Sequence, residues 1–456
     1  MAANLGLRAA QPADGQFGSR ARGQTANLSG MDRPVFPPLF SLSFRLPGFV
    51  ALSALALGLI QPAAAVDNDT AADIRRHRMG RLIIETTPGA AIEVEQTRHE
   101  FWFGAALTSQ AFNGSWSAAE TARYQEVFLA NFNSAVTENA LKWLSMERQR
   151  GKVDYATVGA ILDWTDRHHL PLRGHNIFWG IKQFVPEWLQ AMDDASLRQT
   201  LEARARDIGA RYRGRFAEYD LNNEMIHGNL YAERLGPGIT LQMAQWVRAE
   251  DPAAKLFVND YDITTGRRLD DYVAHIRELL QTGVPIAGIG VQGHLHGETF
   301  DRAALRHALD ELAKFNLPIR VTEFNLPGQH SRFYEHNEIT LTPEEEQAKA
   351  RDIVDYYRIC FSHPAVAGIL MWGFWEGANW IPASSLFKRD WTPTPAGTAY
   401  HDLIYREWRT RWQGRADAQG RCEIPAFYGS YRITAGDKHV AAELRKQDGT
   451  VTVTIP

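Results

Sequence analysis

Cysteine is almost missing from this chain. Cys360 and Cys422 are the only two in 456 residues, too few for a disulfide framework even in an oxidising compartment. Cys360 falls within Ile353–Phe361, a run with the apolar spacing of a buried helix face, so an inert buried thiol is expected rather than a bridge. Long apolar runs are missing too: none reaches the roughly 20 residues that a membrane-spanning helix needs. There is no glycine-rich phosphate loop, which argues against a dinucleotide-binding fold, and no Gly-x-Ser-x-Gly elbow, which argues against an α/β-hydrolase esterase. His294 and His296 stand two residues apart, but no third ligand follows at a convincing spacing, so no metal or other cofactor is expected and His296 reads as a loop residue. Positive charge is not in excess either. With 49 Lys and Arg against 53 Asp and Glu, the formal net charge is -4, and nucleic acid is not an expected partner.

What the chain does have is an ordinary globular composition, 45% hydrophobic and 22% charged, and length for one large domain with an appendage or for two domains. Tryptophan is plentiful, with 13 residues, and its uses here divide between core packing and stacking against the C–H faces of sugar rings. The first 65 residues differ in kind. Residues 1–30 are rich in Ala, Gly and Arg without a hydrophobic period; Arg33 and Arg45 then precede an apolar run from Phe49 to Ile60. Gln61-Pro62-Ala63-Ala64-Ala65 follows, and Ala63 and Ala65 fit the small-x-small pattern of a signal peptidase site. Residues 1–65 are therefore expected to be a leader and signal peptide cleaved after Ala65, with Met31 as an alternative start, and the mature protein to be secreted or periplasmic with no membrane association. The leader carries five Arg against Asp14 and Asp32, so the remainder is more acidic than the whole.

Residues 66–100 read as a β segment, with a hairpin of Leu82–Thr87 and Ala91–Glu95 around the turn Pro88-Gly89. Residues 413–456 have the same character, with Ser430–Thr434 and Val451–Ile455 as strands. Neither end can bury a core alone, so the two are expected to fold together as one small β-sandwich. Between them, residues 101–412 alternate strand and helix patterns. Strand candidates are Phe101–Leu107, Ser134–Thr137, Leu172–Phe178, Phe216–Asn222, Lys255–Asp260, Gly288–Gln292, Ile319–Glu323 and Gly368–Trp372. Helical patterns such as Ala195–Arg213, Thr240–Glu250, Arg268–Thr282, Arg302–Phe315 and Pro343–Phe361 fall between them, the last with an acidic first turn suited to a helix N-terminus. Eight such strands fit a (β/α)8 TIM barrel better than an open sheet, and its catalytic groups should lie at the C-terminal ends of the strands.

Two of those ends carry a Glu. Glu224 follows the fourth strand beside Asn223, and Glu323 closes the seventh about a hundred residues later. Either alone would read as a solvated strand terminus; together they suit acid/base and nucleophilic work on a glycosidic bond. The other strand ends add Glu138, Asn139 and Lys142, then His175 and Trp179, then Gln292 and His294, then Trp372 and Trp380. Amide, charged and imidazole groups interleaved with Trp on one rim describe a sugar-binding cleft. By themselves Lys142 would be a solvated helix charge, His175 a core histidine and the tryptophans lids on the barrel.

The set resembles glycoside hydrolase family 10, the endo-1,4-β-xylanase family, through Phe103-Gly104-Ala105-Ala106, Thr137-Glu138-Asn139-Ala140-Leu141-Lys142-Trp143, Arg173-Gly174-His175-Asn176-Ile177-Phe178-Trp179, Asn222-Asn223-Glu224, Asn259-Asp260-Tyr261, Gly288–His294, Thr322-Glu323-Phe324 and Trp372–Trp380, in the family's order. The resemblance implies that Glu224 is the general acid/base and Glu323 the nucleophile of a retaining hydrolase, with His294 hydrogen-bonding Glu323 and Asn223 holding the 2-hydroxyl of the cleaved sugar. It implies that Glu138, Asn139 and Lys142 bind sugars upstream, that His175 and Gln292 hold the cleaved sugar, and that Trp179, Trp372 and Trp380 form apolar walls. A xylan-like polysaccharide or oligosaccharide is the implied substrate, and a monomer is expected. Thr137 stands where the family usually has Pro, Gly180 where His is usual, Asn222 where an apolar residue is usual, Phe324-Asn325 for Leu-Asp, and Glu376 and Asn379 for Asp and Ser. None of these removes a catalytic carboxyl. Alternatives are action on a small plant glycoside such as a saponin, and carbohydrate binding without turnover.

Overall fold

The computed structural model describes residues 68–295, 300–327 and 341–456. The leader, the expected cleavage site after Ala65 and His296 lie outside them. Eight parallel strands form a closed barrel: β1 (Trp102–Leu107), β2 (Ser134–Thr137), β3 (Leu172–Gly174), β4 (Glu218–Asn223), β5 (Leu256–Asp260), β6 (Ile286–Val291), β7 (Ile319–Phe324) and β8 (Val366–Met371). The ring closes where Arg173 and Gly174 of β3 pair with Glu218 and Tyr219 of β4. Helices occupy the connections, and their apolar faces meet the outward residues of the strands in one large core. Local signals set their ends. Ser117 and Glu120 form a reciprocal capping box on helix Ala118–Asn131, and Thr342 with Glu345 does the same for helix Pro343–Ser362, whose acidic first turn suits the positive end of the helix dipole.

The third strand departs from the continuous Leu172–Phe178 expected. It stops at Gly174 and resumes as Phe178–Trp179, still paired with β4. At the break the Thr137 hydroxyl holds the His175 backbone, accepting from its N–H at 2.9 Å and donating to its carbonyl at 3.1 Å. This gives Thr137 a task that Pro, lacking a hydroxyl, could not perform.

The barrel axis is charged rather than apolar. Arg173 pairs with both Glu218 and Asp220, and Arg320 donates to the two Glu218 oxygens at 3.0 and 2.9 Å. All four groups are buried. Every charge has an opposite partner with hydrogen-bond geometry, which is the condition under which buried ions are tolerated.

The two ends of the described chain build a β-sandwich in which each sheet has an N-terminal strand flanked by C-terminal ones. Met79–Glu85 lies between Arg421–Phe427 and Thr450–Thr454; Ala91–His99 lies between Arg411–Arg415 and Gly429–Ala435, and the latter also pairs with Lys438–Leu444. The expected hairpin around Pro88-Gly89 is therefore corrected: its two strands belong to different sheets, and the turn crosses between layers. The cause is burial. Leu82 and Ile84 on one strand and Ile92 and Val94 on the other point into a shared core with Ile424, Tyr431, Ile433 and Leu444, and facing sheets bury these side chains where a flat hairpin would expose one face. Each such side chain contributes about 1.5–3 kcal/mol. A helix, Asn68–Arg78, precedes this sandwich where only β structure was expected. Its last residue, Arg78, reaches the barrel and donates to the carbonyls of Phe361, His363 and Val366.

Cys360 is buried in helix Pro343–Ser362 and Cys422 lies in the sandwich; both are free. Among the described residues no helix is long and apolar enough to cross a membrane, and no three His, Cys, Asp or Glu side chains gather as a metal site.

Candidate active site

Strand β4 builds the centre of the site. Alternation would place Asp220 and Asn223 on opposite faces, but a bulge between them resets the pleat. Both then reach inward groups: Asp220 bonds Arg173 and His175, and the Asn223 carbonyl oxygen accepts from Asn259 at 3.0 Å. Glu224 follows in the left-handed region, with φ of 60°. That backbone costs a non-glycine residue on the order of 1 kcal/mol and persists where the surroundings impose it. Here the Glu224 N–H donates to the Asn259 carbonyl, the His227 N–H to the Glu224 carbonyl, and Asp260 takes the Ile226 N–H at 3.1 Å and His227 Nδ1 at 2.6 Å.

The Glu224 carboxyl is 8% exposed. Trp179 Nε1 donates to its Oε2 at 2.9 Å and Gln292 Nε2 to its Oε1 at 2.7 Å. Burial, reinforced by the negative charge of Glu323, pushes its pKa up to about 8 despite those two donors. Glu323 has the opposite fate. Burial alone would raise it, but the positive fields of His175, His294 and Lys142 and the His294 hydrogen bond outweigh burial and bring it down to about 2. Asn259 Nδ2 donates to Glu323 Oε1 at 2.8 Å, and His294 Nε2 lies 3.3 Å from Oε2. Two buried carboxyls that feel each other's charge are thus held as one acid and one anion across the neutral range, the division that a proton donor and a nucleophile require.

The remaining expected residues take several distinct places. Trp179 and Gln292 hold the acid carboxyl, as just described. His175 is 1% exposed and sits between Asp220, 2.8 Å from its Nδ1, and Glu323 at 3.7 Å, so its contacts are with the nucleophile's surroundings. Lys142, Trp372 and Trp380 make the wall. The Lys142 ammonium lies over the Trp179 and Trp372 rings at 4.9 and 5.3 Å, while Trp372 packs T-shaped with His175 and Trp380 with His294. Burial pulls the ammonium below its usual range against the attraction of Glu323 and Glu138, and the same burial pushes Glu138 up to about 7 against the pull of Lys142. Asn139 is exposed at the rim. Asn223 Nδ2 is buried without a hydrogen-bond partner among the described residues, which leaves a donor aimed at no protein group.

Three contributors were given no role from the sequence, although Asn259 lies in one of the stretches that carry the family resemblance. Asn259 bonds Asn223 and Glu323 through one amide nitrogen while its oxygen accepts from Thr322 at 2.6 Å. Gly290 makes room for it, since a Cβ there would stand 2.6 Å from Asn259 Oδ1. Asp220 links the barrel's ion network to His175. A signal existed: Glu218, Asp220, Arg173 and Arg320 are charges of both signs inside otherwise apolar strands. Asn222, in contrast, is fully buried with neither side-chain polar atom bonded, and nothing in the structure explains it.

Comparison with known proteins gives concordant results. The profile of glycosyl hydrolase family 10 matches residues 94–403. An anti-sigma-I factor, RsgI6, of Acetivibrio thermocellus is 34% identical over 85% of this chain and 49% of its own length. Endo-1,4-beta-xylanase 1 of Arabidopsis thaliana is 32% identical over 76% of this chain and 34% of its own. The chain thus spans about half or less of the length of these relatives. Among solved structures, native xylanase 10B from Thermotoga maritima superposes with a TM-score of 0.59 over 68% of this chain and 96% of that one at 23% identity, which supports the barrel fold. A profile that runs through the barrel, with two opposed carboxyls at the tips of β4 and β7, leads to one assignment: the chain belongs to glycosyl hydrolase family 10.

Proposed function

We propose that this domain hydrolyses internal β-1,4-xylosidic bonds of xylan with retention of configuration. The observation that carries the reading is the opposed ionisation of the pair, Glu224 held up to about 8 and Glu323 brought down to about 2. In the first step the Glu323 carboxylate attacks the anomeric carbon while Glu224 gives its proton to the departing glycosidic oxygen, forming a glycosyl ester on Glu323. The ester removes the negative charge that helped to raise Glu224, so Glu224 stays ionised after giving up its proton and can accept one when water arrives. Water then adds to the anomeric carbon, its proton passes to Glu224, and Glu323 leaves as a carboxylate. Asn223, with its unpartnered Nδ2, suits the 2-hydroxyl of the cleaved sugar, and Lys142 with Glu138 suits hydroxyls upstream. Trp372 and Trp380 would wall the sugar faces.

The solved neighbours include xylanase 10B from Thermotoga petrophila, described in complex with xylobiose, and xylan is the substrate class we assign by that analogy. The test is to offer xylan, arabinoxylan, cellulose and a saponin panel and to follow first-formed anomers by NMR. Retained xylo-oligosaccharides are expected; an inverted first product refutes the mechanism, and turnover of saponins alone refutes the substrate. Binding without turnover is a second reading, since one relative carries the name of an anti-sigma-I factor rather than of an enzyme; xylan binding by a wild type that turns over none of the substrates, matched by Glu224→Ala, would support it. Export with cleavage after Ala65 belongs to the same proposal; amino-terminal sequencing of secreted protein tests it, and light scattering tests the expected monomer.

A further inference from the structure

The groups around His294 form a hydrogen-bond network whose donors and acceptors can be assigned one by one. Asn325 sits at its centre. Its Nδ2 points at the Trp372 carbonyl oxygen, 3.3 Å away, and at Ser384 Oγ, 3.0 Å away. A carbonyl only accepts, so the amide nitrogen must be on that side. The Ser384 hydroxyl confirms the direction, because its own proton goes to the Ile381 carbonyl at 2.8 Å and leaves its lone pairs for Asn325 and Asn379. The Asn325 oxygen therefore faces His294 Nδ1 at 2.6 Å, as an acceptor with no proton to give. His294 Nδ1 must carry the proton.

The consequence falls on the other ring nitrogen. A neutral imidazole has one N–H, and if that proton is held on Nδ1, Nε2 presents a lone pair to the Glu323 carboxylate 3.3 Å away. Only the imidazolium can bond both partners. We propose that Asn325 is a positioning residue that fixes the proton on His294 Nδ1 and so allows His294 to hold the nucleophile only in its doubly protonated, cationic form. Charged or titratable groups around the pair include Glu323 on β7, His175 with its partner Asp220, Lys142 and Glu224, and, behind Ser384, Lys349, which donates to the Ala383 carbonyl at 2.7 Å and pairs with Glu346. On the Asn325 side Ser384 and Asn379 are neutral, and the Trp372 and Trp380 rings flank the imidazole in T-shaped contacts. With a carboxamide in place of a carboxylate at residue 325, the carboxylate that His294 Nε2 faces is that of Glu323. This role rests on the nucleophile assignment above, but its test does not need turnover.

Full-length protein labelled with 15N in histidine reads the proton positions directly, with His294 assigned by its loss in His294→Gln. In wild type two ring N–H signals are expected where the site is cationic. After the imidazole neutralises, the surviving proton should be on Nδ1, with Nε2 at the bare-nitrogen position. In Asn325→Ala the acceptor is gone, and the surviving proton should move to Nε2, drawn by Glu323. A neutral wild-type His294 with its proton on Nε2 overturns the proposal, and so does a tautomer unchanged between wild type and a folded Asn325→Ala. The wild-type spectrum is decisive even if a variant fails to fold. Absence of xylanase activity with the Nδ1 tautomer present would refute the substrate reading and leave this one standing.

Discussion

Replacing Glu323 by Gln imitates the charge of the glycosyl ester without forming it, and the response of Glu224 measures how the two carboxyls are coupled. Glu224 moves from an ordinary 4.5 to about 8, with burial the larger cause and the charge of Glu323 the next. Carboxyls of a retaining pair stand about 5–5.5 Å apart, and at an effective dielectric of about 20 that separation gives about 3 kcal/mol, or about 2 pH units. In Glu323→Gln the Glu224 carboxyl should therefore titrate near about 6, still above an exposed Glu because its burial is untouched. The assay is a 13C titration of the side-chain carboxyls in the full-length protein, with Glu224 assigned by its absence in Glu224→Gln. A value still near 8 would mean that Glu224 does not feel the nucleophile, and the proton cycling of the two-step mechanism would lose its cause. A fall to 4.5 would mean that burial contributes nothing and that the site is wetter than its geometry indicates.

Because the folded pKa of Glu224 is raised, its contribution to stability is present below about 4.5 and is lost as pH climbs toward 8. Glu224→Gln should therefore gain stability over wild type by on the order of 1 kcal/mol per pH unit across that window, read by urea unfolding at pH 5 and 8; a gap independent of pH would contradict it. Glu323 works in the other direction, its contribution being present above 4.5 and lost as pH falls through about 2, so Glu323→Gln should cost stability at pH 6 and little near pH 2, as followed by circular dichroism. Asn222→Leu removes two unbonded buried polar atoms and should stabilise by about 1–3 kcal/mol in thermal unfolding; a loss of stability would show that Asn222 has a partner, such as an ordered water. Gly290→Ala drives a Cβ against Asn259 Oδ1 and the Val258 carbonyl, at 2.6 and 2.8 Å, and should destabilise by about 1–3 kcal/mol. Activity should fall more than stability alone explains, since Asn259 holds Glu323; unchanged kcat would refute that link.

The barrel's eight strands were legible from the alternation of short apolar runs with helical patterns, to within a few residues at each end. Glu224 and Glu323 were legible because a carboxylate directly after such a run must lie at a strand tip. The partners of those groups were less so. Trp179 and Gln292 read as sugar-contacting residues, and their bonds to Glu224 could not be foreseen, because it is the break after β3 and the approach of β6 that bring them to the acid. The Pro88-Gly89 turn misled for a related reason: a local pattern shows that two strands are consecutive, and only their burial decides whether they pair or face each other.

By itself the sequence determined the periodicity, hence the barrel, and the residue types at strand tips, hence the chemistry they can perform, since both depend on covalent order and local preference. Tertiary structure decided how those groups differ. Glu224 and Glu323 are the same side chain after similar strands, and one becomes an acid and the other an anion only because burial, His175, His294 and Lys142 fall unequally around them. Asn325 is a plain carboxamide until the Trp372 carbonyl turns it and gives it a single face to offer His294. Ionisation and hydrogen-bond direction depend on neighbours brought from distant parts of the chain, and those neighbours meet only when the barrel closes.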